Sequence, residues 1–469
     1  MDLGANLGAN FFPQIPGTLW IRQAQMLQPD GTLQCGDLSI RSGKILAIGD
    51  NLPEAIEGDG EIDGRGLVLL PGVIDPQVHF RDPGLTHKED LFTAGRACAR
   101  GGVTSFLEMP NTQPLTTTQE ALDEKLERAA EKSLVNFGFF IGATAENLPD
   151  LREATPTPGI KIFMGSMHGN LLVDAEATLD QIFAKGSRLI AVHAEDQARI
   201  VRRRQKFLEQ FGTGLTQEMD VALHSQIQDE KAALKATQLA LKLSKKYERR
   251  LHILHLSTGI EAQLLRQDKP AWVTAEVTPQ HLLLNTTAYE TIGSLAQMNP
   301  PLRSPQDNEI LWQALLDGVI DCIATDHAPH TLAEKAQPYP KSPAGMPGVE
   351  TALPLMLTQA KQGRCTLAQV SRWMSTAVAE AYQIVGKGKI EPGYDADLVL
   401  VDWVTEKTVD RQDLQTKCGW SPFEGWRLTG WPVITIVNGN VVYNGRAPQG
   451  EQFNATLRGK ALQFRSDQG

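Results

Sequence analysis

Eight apolar runs of strand length recur between residues 71 and 389, separated by stretches with helical periodicity, and no other feature restricts the fold of this chain as much. The runs lie at residues 73–80, 103–109, 136–141, 159–164, 188–193, 251–255, 272–277 and 320–325. Strands alternating with helices imply a parallel sheet with right-handed crossovers, and eight such units predict an α/β chain folded as a (β/α)8 TIM barrel. Some helix starts are legible. Thr117 and Glu120 have the spacing of a capping box, and Ser304 precedes Pro305 at a first helical position.

Outside this block the pattern changes to short strands broken by Pro and Gly, at 18–23, 38–41 and 44–48, and again at 396–402, 433–437 and 441–443. The last two flank Asn438-Gly439, a pair suited to a tight hairpin because both central residues need positive φ. The expected organisation is an N-terminal tail over 1–17, a small β-sandwich domain built from 18–70 plus 390–446, the catalytic barrel over 71–389, and a C-terminal tail over 447–469.

Composition matters mainly for what it excludes. The 469 residues are 41% hydrophobic, and no window holds the roughly 18 uninterrupted apolar residues of a membrane span. The first residues have neither the basic flank and apolar segment of a secretory signal nor the arginines of a transit peptide, so a cytoplasmic protein is expected. Five scattered cysteines with no CxxC pair argue against a disulfide framework and against a cysteine zinc site. A net charge of −10 disfavours a nucleic-acid partner, and Arg202-Arg203-Arg204 reads as a solvated helix face.

The polar residues cluster at one end of the runs. The first run carries Gln77, His79 and Arg81; the second ends in Asn111; the fourth holds Lys161; the fifth ends His193-Ala-Glu195; the sixth contains His252 and His255; the eighth ends Asp326-His-Ala-Pro-His330. Taken singly, each has a plain structural role available: a packed histidine, a lysine reaching solvent at 161, a turn cap at Asp326, an ion pair of Arg81 with Asp82 or Asp90. Together, imidazoles, a carboxylate and a modifiable lysine at one barrel mouth are what a hydrolytic zinc site requires. Strict alternation would put His252 and His255 on opposite faces, so one of the two is expected as a ligand. His281 and His327 are expected to support the site, while His87, His168 and His224 read as structural or solvent-facing.

The segment from Asp75 to Arg81 with Pro83-Gly84, Gly101-Gly-Val-Thr104, Met109-Pro-Asn-Thr112, Gly159-Ile-Lys161, His193-Ala-Glu195, Met298-Asn-Pro-Pro-Leu-Arg303, Thr325-Asp-His-Ala-Pro-His330, Gly348-Val-Glu-Thr351 and Gly393-Tyr-Asp-Ala-Asp-Leu-Val399 occur in an order that resembles the amidohydrolases acting on cyclic amides, and among them the dihydroorotases. The resemblance spans residues 18–446. It implies that His79, His193, His255 and Asp326 bind zinc, that Asp326 is also the catalytic acid–base, and that Lys161 reacts with CO2 to give a carbamate bridging two zinc ions. It further implies that Arg81, Asn111, Asn299, His330 and the backbone of Ala344-Gly345 hold a carboxylate-bearing cyclic substrate. A homodimer is expected from the resemblance alone. The departure is Gln77, where the superfamily pattern has the first histidine of a His-x-His pair; it leaves the count at one or two zinc ions. The alternatives are a related cyclic amidase, such as an allantoinase or hydantoinase, and a non-catalytic homologue serving as a scaffold.

Overall fold

The computed structural model describes residues 12, 17–28, 30–50, 52–167, 169–211 and 220–465, the side chains of 210 and 211 excepted. Apart from Phe12 and Gly17, the expected N-terminal tail lies outside the described residues, as does His168.

The strands at the two ends of the chain share one eight-stranded sheet. β1 (Leu19–Leu27), β2 (Leu33–Arg41), β3 (Lys44–Gly49), β4 (Gly60–Asp63) and β5 (Leu67–Pro71) come from the N-terminal side. The joint to the other end is antiparallel, Val399 opposite Leu70, where β5 meets a strand over Leu398–Asp402. The hairpin turn has Asn438 at φ 50° and Gly439 at φ 78°, as its sequence requires. An added Cβ on Gly439 would lie 2.8 Å from Gly43 Cα, so the turns at the two edges of the sheet approach backbone to backbone. Ile21, Leu38, Leu69, Leu398 and Ile434, from both chain ends, form one core of their own.

The eight expected runs are all present as parallel strands, each shorter than its apolar run except the third, which is split in two. β6 (Val73–Val78), β7 (Val103–Glu108) and β8 (Asn136–Phe139) form one sheet. β9 (Ile141–Gly142), β10 (Ile160–Phe163), β11 (Ile190–His193), β12 (Leu251–Ile253), β13 (Val273–Val277) and β14 (Cys322–Ile323) form the next. β8 and β9 are two parts of one expected strand, interrupted at Phe140, whose N–H still donates to Glu108 O at 3.0 Å. After β14, His327 pairs with Val78, and His79 N–H donates to His327 O at 2.8 Å.

Both faces of these strands are buried, as continuous apolar runs lead one to expect. Val73, Phe106, Ile162, Val192 and Val277 pack outward against helices. Ile74, Leu107, Phe140, Ala191, Leu254 and Cys322 pack inward, over a floor made by the helix Ala377–Tyr382 and by Leu462. Leu462 belongs to the stretch expected as a C-terminal tail, and its described part is tied down: Phe137 N–H donates to Lys460 O, and Leu462 N–H to Phe137 O. Helix caps follow local chemistry. Ser304 caps its helix with Asp307 reciprocating, whereas the helix Gln119–Lys132 is capped by Thr118, one residue later than the spacing of Thr117 and Glu120 suggests. The five cysteines are free thiols, four of them buried, and no described helix is long and apolar enough to cross a membrane.

Candidate active site

Gln77, His79, Arg81, Asn111, His193, His255, Asn299, Asp326, His330, Ala344 and Gly345 line a single cavity of about 220 Å³ at the C-terminal ends of the parallel strands. Of the twelve residues expected there, only Lys161 does not line it. Lys161 lies beneath the wall, fully buried, with Nζ 4.4 Å from the centroid of the Phe163 ring and without a hydrogen-bond partner. Projection to solvent is therefore excluded. Burial pulls its pKa down to about 7 against the opposing pull of Asp326 and Glu276.

Four of the lining residues other than glycine have a backbone conformation that side chains disfavour: Arg81 at φ 65°, Ser166 at φ 55°, His255 at φ 35° and Asp326 at φ 47°. Such a residue costs on the order of 1–3 kcal/mol and persists only where its surroundings hold it. Here the holders are buried carboxylates. Asp75 accepts from Gln77 N–H at 3.2 Å, Thr325 N–H at 3.1 Å and Thr325 Oγ at 2.5 Å, clamping the residues next to His79 and Asp326. Glu276 accepts from His255 N–H at 3.4 Å.

The turn at His255 also overturns the alternation expected for His252 and His255. β12 ends at Ile253, and the positive φ at 255 swings that side chain back onto the inner face, where its Nε2 meets His193 Nδ1 at 2.9 Å. His252 is inward as well, being the register partner of Ala191, two residues before His193. It lies one layer deeper, bonded to Thr274 Oγ at 2.6 Å and to Glu276 Oε2 at 2.9 Å. With Glu276 and Cys322 it makes the one group of three metal-ligand side chains, among the described residues, whose ligand atoms lie within 4.8 Å of each other. All three are sealed in the interior.

The expected ligands form two pairs around the cavity. His79 Nδ1 lies 2.7 Å from Asn111 Oδ1, and with its proton donated there, its Nε2 lone pair faces Asp326 Oδ1 at 3.1 Å. The Gln77 amide also donates to Asp326 Oδ1, at 3.1 Å. His193 Nε2–H donates to Glu195 Oε2 at 2.9 Å, and a carboxylate accepts only, so the Nδ1 lone pair faces His255. Burial first, then His193, Lys161 and His281, push the His255 pKa far below the ordinary range, so its ring is neutral. Lys161 Nζ, His255 Nδ1 and Gln77 Oε1 are buried without partners. The His79 lone pair facing a carboxylate, two imidazoles set nitrogen to nitrogen with a carboxylate backing one of them, and orphaned polar atoms at the same cavity fit a divalent cation held by nitrogen and oxygen.

The other side of the cavity carries a positive charge. Arg81 forms no salt bridge with any described residue. Its expected competitors are taken, Asp82 by Lys132 at 2.8 Å and Asp90 by Lys417 at 2.7 Å. Arg81 instead donates to Pro329 O at 3.2 Å, and burial lowers its pKa only to about 10, which leaves it charged. His330 Nε2 lies 3.1 Å from Ala344 O. Gly345, at φ 132°, has no room for a Cβ, which would sit 2.5 Å from Ala328 O. Its N–H and C=O are both engaged, with Gln297 O and Lys335 Nζ, so it shapes the wall.

Several contributors have no sequence signal. His224, expected to be structural or in solvent, is buried and bonded to Asn299 Oδ1 at 2.9 Å. Ser166 and Met167 line the cavity, and Ser166 Oγ donates to Glu195 at 2.5 Å. His281 and His327, expected to support the site, are bonded to backbone groups: His281 reaches Pro300 O at 3.0 Å, and His327 Nδ1 accepts from Gly348 N–H at 3.0 Å. His87 is at the surface near Glu334.

Comparison with known proteins adds an independent observation. The profile of the amidohydrolase family matches residues 68–442. The dihydroorotase of Methanosarcina mazei is 36% identical over 450 residues, covering 92% of this chain and 95% of its own. That of Bacillus cytotoxicus is 32% identical over 431 residues, covering 90% and 97%. Among solved structures, the L-hydantoinase (dihydropyrimidinase) of Arthrobacter aurescens superposes with a TM-score of 0.87 at 29% identity, over 95% of this chain and 99% of that one. The dihydropyrimidinase of Brevibacillus agri gives 0.83 at 26% identity, over 93% and 96%.

Proposed function

Since the chain belongs to the amidohydrolase family, and to the dihydroorotases within it, we propose that the cavity interconverts (S)-dihydroorotate and N-carbamoyl-L-aspartate with the help of bound zinc. The observation that carries the reading is the convergence of eleven of the twelve expected residues on one cavity, with a cation-fitting side and an anion-fitting side.

His79, His193, His255 and Asp326 would hold zinc, with Lys161 as its CO2 adduct; the partnerless, buried Nζ supports that modification. Gln77 leaves one imidazole fewer for a second ion, and its amide donates to Asp326 instead. When bound, zinc supplies Lewis acidity that lowers the pKa of water toward about 7 and polarises the ring carbonyl. The carboxylate of Asp326 takes the proton from the attacking water and returns it to the ring nitrogen as the amide C–N bond breaks. Ring closure runs the same transfer backwards. Arg81 and His330 hold the substrate carboxylate. Asn111 and Asn299 have their amide oxygens occupied by His79 and His224, which leaves their NH2 groups to donate to the ring.

The same reading takes β6 to β14 as a closed (β/α)8 barrel within 71–389, supported by the Val78–His327 pairing, and 18–70 with 390–446 as one β-sandwich domain, supported by the β5 joint and the separate core. A cytoplasmic homodimer without a nucleic-acid partner is the form it expects, and the net charge of −10 supports the last point.

The structural likeness to hydantoinases favours a second reading, a cyclic amidase for rings without a carboxylate, against which stands Arg81, charged, buried and without a carboxylate partner. Assaying purified protein on dihydroorotate, allantoin and hydantoin separates them. Turnover of dihydroorotate is expected, and turnover of the other rings with dihydroorotate inert refutes it. A chain that binds less than one zinc and turns over none of the three is a scaffold.

A further inference from the structure

Behind the anion-facing wall, Lys88 reaches His330 from a loop 242 residues earlier, with Nζ 3.1 Å from His330 Nδ1 and 3.1 Å from Glu334 Oε1. Its side chain is 13% exposed and does not line the cavity. An ammonium has three donors and no acceptor, so His330 Nδ1 must accept, and the single proton of the neutral ring then sits on Nε2. A second neighbour, independent of the first, demands the same tautomer: Nε2 faces Ala344 O at 3.1 Å, a group that only accepts. Burial, then Arg81, Lys88 and Lys335, keep the ring neutral. Arg81 Nη2, which can only donate, also lies near Nε2, but at 3.4 Å, longer than the 3.1 Å contacts with Lys88 and Ala344 that set the proton on Nε2. With the proton there, the Nε2–H points to Ala344 O in the free protein and stands beside the Arg81 N–H, so that a carboxylate entering at this wall meets two donors and shares the first with Ala344 O.

We propose that Lys88 is a positioning residue for substrate recognition: by donating to His330 Nδ1 it keeps the proton on Nε2, so that His330 and Arg81 present paired donors to the substrate carboxylate. The inference rests on the dihydroorotase reading. Were the proton on Nδ1, the Nε2 lone pair would meet the carboxylate and repel it. Glu334 has the complementary part, since its carboxylate accepts from Lys88 and from Thr331 N–H at 2.9 Å and so fixes the ammonium in place.

The tautomer is read directly, without substrate, from the ring-nitrogen shifts of the full chain labelled with 15N-histidine, using His330→Asn to assign the signal. A proton on Nε2 is expected; a proton on Nδ1 overturns the proposal. Kinetics supply the second arm. Lys88→Met should raise the KM for dihydroorotate about tenfold or more, the worth of a hydrogen bond to a charged group, with kcat within about threefold. Inhibition should shift in parallel for orotate and stay unchanged for uracil, which lacks the carboxylate. Lys88→Gln, whose amide NH2 still donates, should recover most of the loss. An unchanged KM in Lys88→Met overturns the proposal, as does Lys88→Gln impaired to the same degree, which would assign the effect to charge alone. A wild-type chain inert on dihydroorotate would instead overturn the parent reading, a distinct result because the tautomer is measured on the free protein.

Discussion

At Asp326, the His79 ring and the Gln77 amide both meet Oδ1, so in the proposed reaction Oδ2 is the oxygen left to carry a proton between water and the ring nitrogen. Asp326→Asn keeps the size and both contacts but cannot act as a base, and turnover should fall by about 10²- to 10⁴-fold while zinc, measured by elemental analysis, stays bound. Near-normal activity would remove the proton-transfer role. Glu195 works at one remove. Its carboxylate fixes the His193 tautomer, and Glu195→Ala should weaken zinc binding by about 10- to 100-fold in a chelator competition, with an unchanged affinity refuting the support. Asp326 is legible in the sequence as part of Thr325-Asp-His-Ala-Pro-His330, whereas Glu195 is legible only as a member of His193-Ala-Glu195, because it lies past the end of β11 and its bond to His193 appears only in the fold. Lys88 and His224 are not legible, because their partners lie 242 and 75 residues away and nothing in their local sequence points there.

The strands themselves were foreseeable in number and order from apolar runs alone, yet their ends were not. Arg81, His255 and Asp326 take positive φ without being glycine, so residue type does not announce the turns that stop β6, β12 and β14, and an argument from regular alternation fails at His255. What holds these turns is buried charge placed by neighbouring elements. Glu108, at the end of β7, accepts from Phe80 N–H at 2.9 Å, the residue between His79 and Arg81, and pairs at 2.8 Å with Lys125 on the helix Gln119–Lys132. The two side chains are 0% and 2% exposed. Removing one member of a buried pair strands the other, so Lys125→Met should cost about 3–5 kcal/mol in urea unfolding. Adding Glu108→Gln should restore part of it, because the neutral amide still accepts from Phe80 without an uncompensated charge. A Lys125→Met protein of wild-type stability would show that the pair does not hold the strand end.

Across the molecule, the C-terminal part of the chain is tied in twice, once where β5 joins the strand at Leu398–Asp402 and once where Leu462 closes the floor under the inner strands, and the second contact has no signature in a stretch whose composition suggests a tail. One wall of the mouth is tied down in a comparable way by two buried histidines on either side of one segment: His224 holds Asn299, and His281 holds Pro300 O. Burial lowers both pKa values to about 4. The folded chain keeps these rings neutral while the unfolded chain protonates them near pH 6.5, so between pH 6.5 and 4 the unfolded state binds more protons and stability falls as pH falls. A shift of this size corresponds to about 3 kcal/mol per histidine. Asp75 acts in the opposite sense: burial raises its pKa to about 7, so it favours the folded chain as pH drops through that value, and the wild-type profile alone would mix the two. Comparison with His281→Gln isolates the histidine, because the remaining groups contribute nearly equally to both proteins. The stability advantage of wild type over His281→Gln, from urea unfolding at pH 7 and pH 4, should shrink by about 3 kcal/mol as the pH is lowered. A difference independent of pH would mean that His281 is not held neutral by its surroundings.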